Sequence, residues 1–161
     1  MNLDEVLAFY NALEANGVAI WVDGGWGVDA LLGKQTRHHE DLDLAVSREH
    51  HPMLQQFLAK QGWEHCQRDG SKEWNYVVAN ESNLVDVHVF EFDAEGTNTY
   101  GVAYPQDSLT GVGSLRGQSV RCIAAESMFK FKTSFLPRPR DVADVQALAA
   151  KFGLELPEGY H

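Results

Sequence analysis

Two carboxylates separated by a single residue, Asp41 and Asp43, carry the most telling chemistry in this chain. Residues i and i+2 of a strand project to the same face, so an extended backbone here sets the two acids side by side. Adjacent carboxylates repel, and each is driven toward protonation unless a cation sits between them. A hard divalent ion such as Mg²⁺, which prefers oxygen ligands, is the natural neutraliser. Upstream, the apolar run Ile20–Val22 leads into Gly24-Gly25 and a helix-compatible segment from Trp26 to Leu32. Glycines at a strand-to-helix junction leave backbone N–H groups bare and aimed at the helix N-terminus, which suits phosphate. A phosphate cradle beside metal-binding carboxylates argues for nucleoside triphosphate chemistry.

The elements that must position these groups follow from periodicity. Leu3, Val6, Leu7, Tyr10 and Leu13 recur at helical spacing, and Asn16-Gly17 ends that helix. Val18–Val22 reads as a strand, with Asp23 as cap of the next helix and a place at the site as its alternative. Trp26 and Asp29 share a helix face, where Trp26 is either core or pocket wall. Leu42, Leu44 and Val46 alternate with the two acids, giving a strand with one core face and one site face. A helix is expected over roughly 47–61, capped by Ser47 and stopped at Gly62. Trp63–Arg68 and Glu73–Ala79 read as a hairpin around Asp69-Gly70, and Leu84–Phe92 as a strand bearing Asp86 and His88. Residues 91–117 form a looser polar stretch that could wrap the site, with Tyr100 and Tyr104 as candidate acceptor-pocket walls. Short strands near Gly111–Leu115 and Ser119–Ile123 precede a helix over Ala124–Phe135. Pro137 and Pro139 break the chain, and Asp141 caps a last helix to Phe152.

Composition narrows the function. At 161 residues the chain is expected to be one domain, with a core to about 123 and a helical part over 124–161. Lys and Arg total 13 against 23 Asp and Glu, a net charge of −10, which opposes nucleic acid and suits a small cationic acceptor. Cys66 and Cys122 lack metal-ligand spacing and read as free thiols of a reducing cytoplasm. The acidic, amphipathic N-terminus is not a signal peptide, and no apolar run approaches a membrane span. A zinc site at His38-His39-Glu40-Asp41-Asp43 is disfavoured, because adjacent residues of an extended chain point apart and no cysteine or HxxxH spacing assists.

Gly24-Gly25-Trp26-Gly27-Val28-Asp29 and Arg37-x-His39-x-Asp41-x-Asp43, with a third acid on a later strand, resemble the polymerase-β-like nucleotidyltransferase superfamily. Within it they are similar to the small bacterial enzymes that modify aminoglycoside or lincosamide antibiotics. The resemblance covers residues 18–90 and returns in the C-terminal helices. It implies an α/β (α+β) fold: a small mixed sheet, flanking helices and a short helical C-terminal part.

By that resemblance Asp41, Asp43 and Asp86 are the metal-binding and catalytic acids, with Mg²⁺ as cofactor and ATP as co-substrate. Asp86 either ligates a second metal or takes the proton from an attacking hydroxyl. Gly24 and Gly25 cradle the phosphates, Arg37 contacts them and His39 supports it, while Lys34 and His38 read as solvated turn residues. Lys130 and Lys132 diverge by about 200° around a helix, so one alone faces the triphosphate; the resemblance favours Lys132. Arg140-Asp141 and Asp144 read as structural braces. His88 shares the face of Asp86 and borders the acceptor in this reading. The expected reaction moves a nucleoside monophosphate to a hydroxyl of a lincosamide, with an aminoglycoside as the near alternative. An antitoxin acting on a protein partner is the reading from another class, and a homodimer is compatible with the chain's length.

Overall fold

A computed structural model describes residues 1–161. Eight strands build one mixed sheet: β1 (Ile20–Asp23), β2 (Asp41–Ser47), β3 (Glu64–His65), β4 (Asn75–Ala79), β5 (Leu84–Phe92), β6 (Asn98–Gly101), β7 (Gly111–Leu115) and β8 (Gln118–Cys122). Five helices accompany it: α1 (Leu3–Ala15), α2 (Gly24–Leu32), α3 (His51–Lys60), α4 (Ala125–Thr133) and α5 (Pro139–Phe152). Strand order is β3-β4-β5-β2-β1-β8-β7, with β6 continuing the ladder on β5. The pairs β2–β5 and β1–β8 are parallel and the remainder antiparallel. No helix is long and apolar enough to cross a membrane.

The centre of the sheet is where the sequence is most β-like. Leu42, Leu44 and Val46 of β2 and Val85, Val87 and Val89 of β5 are fully buried, and β-branched side chains fit such a pleated surface. The acids alternate with them. The glycine at 27 lets α2 settle on the sheet: a Cβ there would lie 2.9 Å from the Val22 carbonyl oxygen and 2.6 Å from Met128 Cε of α4. Across the molecule α1 meets α3 edge to face through Phe9 and Phe57.

Four expectations are corrected. Ser47 is the last residue of β2, its hydroxyl accepts from His50 N–H at 3.2 Å, and α3 starts at His51 with Pro52 in its first turn. Proline suits that position because its missing N–H would be unpaired anyway. The same logic puts Pro139 at the head of α5, so Asp141 lies within the first turn rather than at the cap. α4 ends at Thr133, two residues earlier than expected. The stretch 91–117 is not a loose wrap, for β6 and β7 build it into the sheet on either side of a 3₁₀ turn at Gln106–Thr110. Tyr100 lies under the Arg48 guanidinium and Tyr104 is 3 % exposed; neither walls the main cavity.

Candidate active site

Register creates the site. Asp23 of β1 pairs with Asp43 of β2, and Asp43 pairs with Asp86 of β5. Paired residues share a face and neighbouring strands are about 4.8 Å apart, so three carboxylates form a row across three strands. Asp41 stands one step along β2 on the same face. All four line a cavity of about 650 Å³, together with Gly24, Gly25, Arg37, His39 and Lys132. Lys130 is exposed and lies outside it.

The row is unevenly neutralised. Burial, then the charges of Asp41 and Asp23, push the Asp43 carboxyl up to about 7. Asp23 has the opposite fate. Burial pushes it up too, but His88, the Tyr104 hydroxyl and the Gly24 N–H together hold it below the usual carboxylate range. Its Oδ1 accepts from Gly24 N–H at 2.7 Å, capping α2, and its Oδ2 accepts from Tyr104 Oη at 2.6 Å. Asp23 is therefore cap and site neighbour at once. The buried Oδ1 of Asp86 has no hydrogen-bond partner, although His88 Nε2 lies 3.2 Å away. Burial pulls the His88 imidazole down, yet Asp23 and Asp86 outweigh it and raise the ring to about 10.

A buried carboxylate oxygen without a hydrogen bond, beside a second acid that resists ionisation, fits a divalent cation, since buried polar groups otherwise find partners. Asp43, Asp86 and His88 each offer one ligand atom, all within 4.8 Å of one another. Mg²⁺ is compatible with the oxygens of this set.

The two glycines do more than leave N–H groups bare. Gly24 has φ +57°, and a Cβ on it would lie 2.0 Å from Asp43 Oδ2. A Cβ on Gly25 would meet His39 Nδ1 at 2.3 Å and an Arg37 guanidinium nitrogen at 2.9 Å. Any side chain at either position collides with the groups it is meant to serve.

Behind Gly25 runs a chain of alternating charges. The His39 Nδ1 lies 2.9 Å from Arg37, and a guanidinium only donates, so Nδ1 accepts and Nε2–H donates to Asp29 at 2.5 Å. Asp29 Oδ1 also accepts from the Thr36 N–H and hydroxyl. Arg37 donates to Asp144 at 3.0 Å, and Asp144 meets Lys132 at 2.9 Å. Lys132 reaches Asp141 at 3.4 Å, which Arg138 joins at 2.5 Å. His39 and Lys132 thus spend their polar atoms inside the protein, while Arg37 keeps 29 % of its side chain exposed. Trp26, 1 % exposed and packed on the His39 ring, belongs to the core.

Sequence reasoning passed over three cavity-lining cations, Arg68, Arg138 and Arg140. Arg68 read as a hairpin turn and Arg140 as a brace; the proline-flanked Arg138-x-Arg140 was the available signal. It also missed Tyr104 as partner of Asp23, 81 residues away.

A glycine-initiated helix facing a row of carboxylates on a mixed sheet defines a nucleotidyltransferase of the polymerase-β-like type. The sequence profile of the aminoglycoside-2''-adenylyltransferase family matches residues 5–148, and the chain belongs to that family. It is 27% identical over 154 residues to a lincosamide resistance protein of Staphylococcus haemolyticus, covering 91% of this chain and 95% of that one. A 2''-aminoglycoside nucleotidyltransferase of Escherichia coli is 27% identical over 120 residues, 73% of this chain and 64% of that longer protein. Among solved structures, lincomycin-bound lincosamide adenylyltransferase LnuA superposes with TM-score 0.79 at 22% identity, covering 93% of this chain and 98% of that one. ANT(2")-Ia with adenylyl-2"-tobramycin gives 0.77 at 21%, covering 94% and 89%. Identities this low establish the fold.

Proposed function

We propose that this protein transfers a nucleoside monophosphate from ATP to a hydroxyl of a lincosamide antibiotic, releasing pyrophosphate. The observation that carries the reading is the Asp43–Asp86 register, with an unpartnered Asp86 oxygen, beside the glycine start of α2. Asp41, Asp43 and Asp86 would hold Mg²⁺, which supplies positive charge against the triphosphate when bound. The first-turn N–H groups of α2 beyond Gly24, whose own N–H is taken by Asp23, lack intrahelical partners and with Arg37 bind phosphate oxygens. Lys132 and His39 act from behind, keeping Arg37 aimed at the cavity. Asp86 accepts the proton of the acceptor hydroxyl as its oxygen attacks the α-phosphorus in line and the bond to pyrophosphate breaks. Placement and charge compensation supply most of the rate.

The acceptor assignment rests on the cavity rim. Arg68, Arg138 and Arg140 line it with Phe131 and Phe135, and Arg138 lies over the Phe135 ring. Glu40 and Asp141 line it as well and Arg138 is paired with Asp141, so the charge there is mixed. The exposed Phe135 ring suits a partly apolar, singly charged sugar derivative. This supports a lincosamide over an aminoglycoside.

Incubation with ATP, Mg²⁺ and a panel of both antibiotic classes, followed by pyrophosphate release and acceptor mass, tests the reading. A nucleotide adduct on lincosamides alone is expected; adducts confined to aminoglycosides would reverse the acceptor assignment. Asp86→Asn is expected to retain nucleotide binding while turnover falls about 10²-fold or more. Undiminished turnover would end its role as base.

A further inference from the structure

We propose that His88 Nε2 is a ligand of the catalytic cation, so that the site is a mixed nitrogen–oxygen centre rather than a set of carboxylates alone. The inference rests on the divalent-metal reading above and adds a donor to it. His88 follows Asp86 by two positions on β5, sharing its face, and its Nε2 is 3.2 Å from Asp86 Oδ1. The distance is that of an ion pair, and Asp86 Oδ1 has no hydrogen-bond partner. Two donors bound at right angles to one cation at about 2.1 Å stand about 3 Å apart. The spacing is that of neighbouring ligands.

The far side of the ring decides which nitrogen is available. Tyr104 Oη gives its own proton to Asp23 Oδ2 at 2.6 Å, so toward His88 Nδ1, 3.1 Å away, it can only accept. Nδ1 therefore carries a hydrogen and, in the neutral ring, Nε2 presents its lone pair to Asp43 and Asp86. His88 would hold a divalent cation through that lone pair in its neutral form. Metal-binding histidines are commonly fixed by such a bond from the other nitrogen. Here that bond runs through Tyr104 to the residue capping α2, so the metal ligand and the phosphate-binding helix are oriented by one relay.

An imidazole donor shifts preference from Mg²⁺ toward later divalent ions such as Co²⁺. The test uses full-length protein loaded with Mn²⁺ and read by pulsed electron spin-echo modulation. The wild type is expected to show directly bound ¹⁴N coupling that changes to ¹⁵N when histidine is labelled. His88→Gln is expected to bind Mn²⁺ without that coupling, and to lower the Co²⁺-to-Mg²⁺ affinity ratio about tenfold. If His88→Gln fails to fold, His88→Asp makes the same comparison with an oxygen donor. Bound Mn²⁺ without nitrogen coupling in the wild type would overturn the role of His88 and leave the metal reading standing. Failure to bind any divalent ion, with or without ATP, would overturn both.

Discussion

Two groups of buried charge lie side by side in this protein and have been settled in opposite ways. Around Asp144 the charges alternate: Asp29, His39, Arg37, Asp144, Lys132, Asp141 and Arg138 each touch a partner of complementary character. Across β1, β2 and β5 the acids face one another, His88 stands near Asp23 and Asp86, and one Asp86 oxygen makes no hydrogen bond. The first arrangement is complete as folded, whereas in the second a single imidazole stands against four carboxylates. Charge that the chain balances itself serves architecture; charge left unbalanced in a cavity is where a ligand belongs.

Removing an acid should have opposite consequences in the two groups. Asp43→Asn is expected to lower turnover by about 10³-fold or more, yet to stabilise the metal-free fold. The folded carboxyl holds its proton up to about pH 7 and the reference value is 3.8. That advantage is complete at low pH and lost as pH rises through 7. At pH 8 the variant should therefore melt higher than wild type, by an amount on the order of 2–4 kcal/mol. The difference should shrink toward pH 4, as thermal melts across that range can establish.

Asp144→Ala should do the reverse. It takes the acid from a half-buried Arg37 and leaves buried Lys132 with Asp141 alone, with an expected loss of about 3 kcal/mol in denaturant unfolding. A stability near wild type would show that the two cations find other partners and that the chain of charges is redundant.

A smaller effect concerns the cation itself. Below pH 7 the ion must displace a proton from Asp43, so Mg²⁺ affinity should weaken by up to about tenfold per pH unit from 7 to 5.5. Titration calorimetry in buffers of different ionisation heat reads the proton released. Uptake rather than release would contradict an unbalanced site. Smallest of all, Arg48→Ala breaks a solvent-exposed pair with Glu91, and exposed pairs contribute little. No measurable change in melting temperature is expected, which makes it the control for both groups.

Much of this was legible from residue order because its causes are local. Alternation of Leu42, Leu44 and Val46 with Asp41 and Asp43 sets the face of β2, and the parallel valines of β5 do the same for Asp86. The α5 boundary was misplaced because an acid near Pro139 looks like a cap, when the proline itself takes the first position. The relay from His88 through Tyr104 to Asp23 was invisible for a different reason. Its members come from three strands or loops far apart in the chain, and tyrosine in a polar stretch reads as a wall until its hydroxyl is seen buried. The same holds for Lys132, which lines the cavity but whose ammonium is already engaged by Asp141 and Asp144.

The pairing of β2 with β5 also sets where this enzyme tolerates change in length. Because successive strand residues point to opposite faces, gaining or losing one residue within either strand would rotate Asp86 away from Asp43 and into the hydrocarbon interior. The turn between β4 and β5 is exposed over residues 80–82 and carries no such constraint, whereas the turn at 68–71 brings Arg68 to the cavity. Natural or engineered insertions should accumulate in the β4–β5 turn, and tags or fused modules placed there should leave the chemistry untouched.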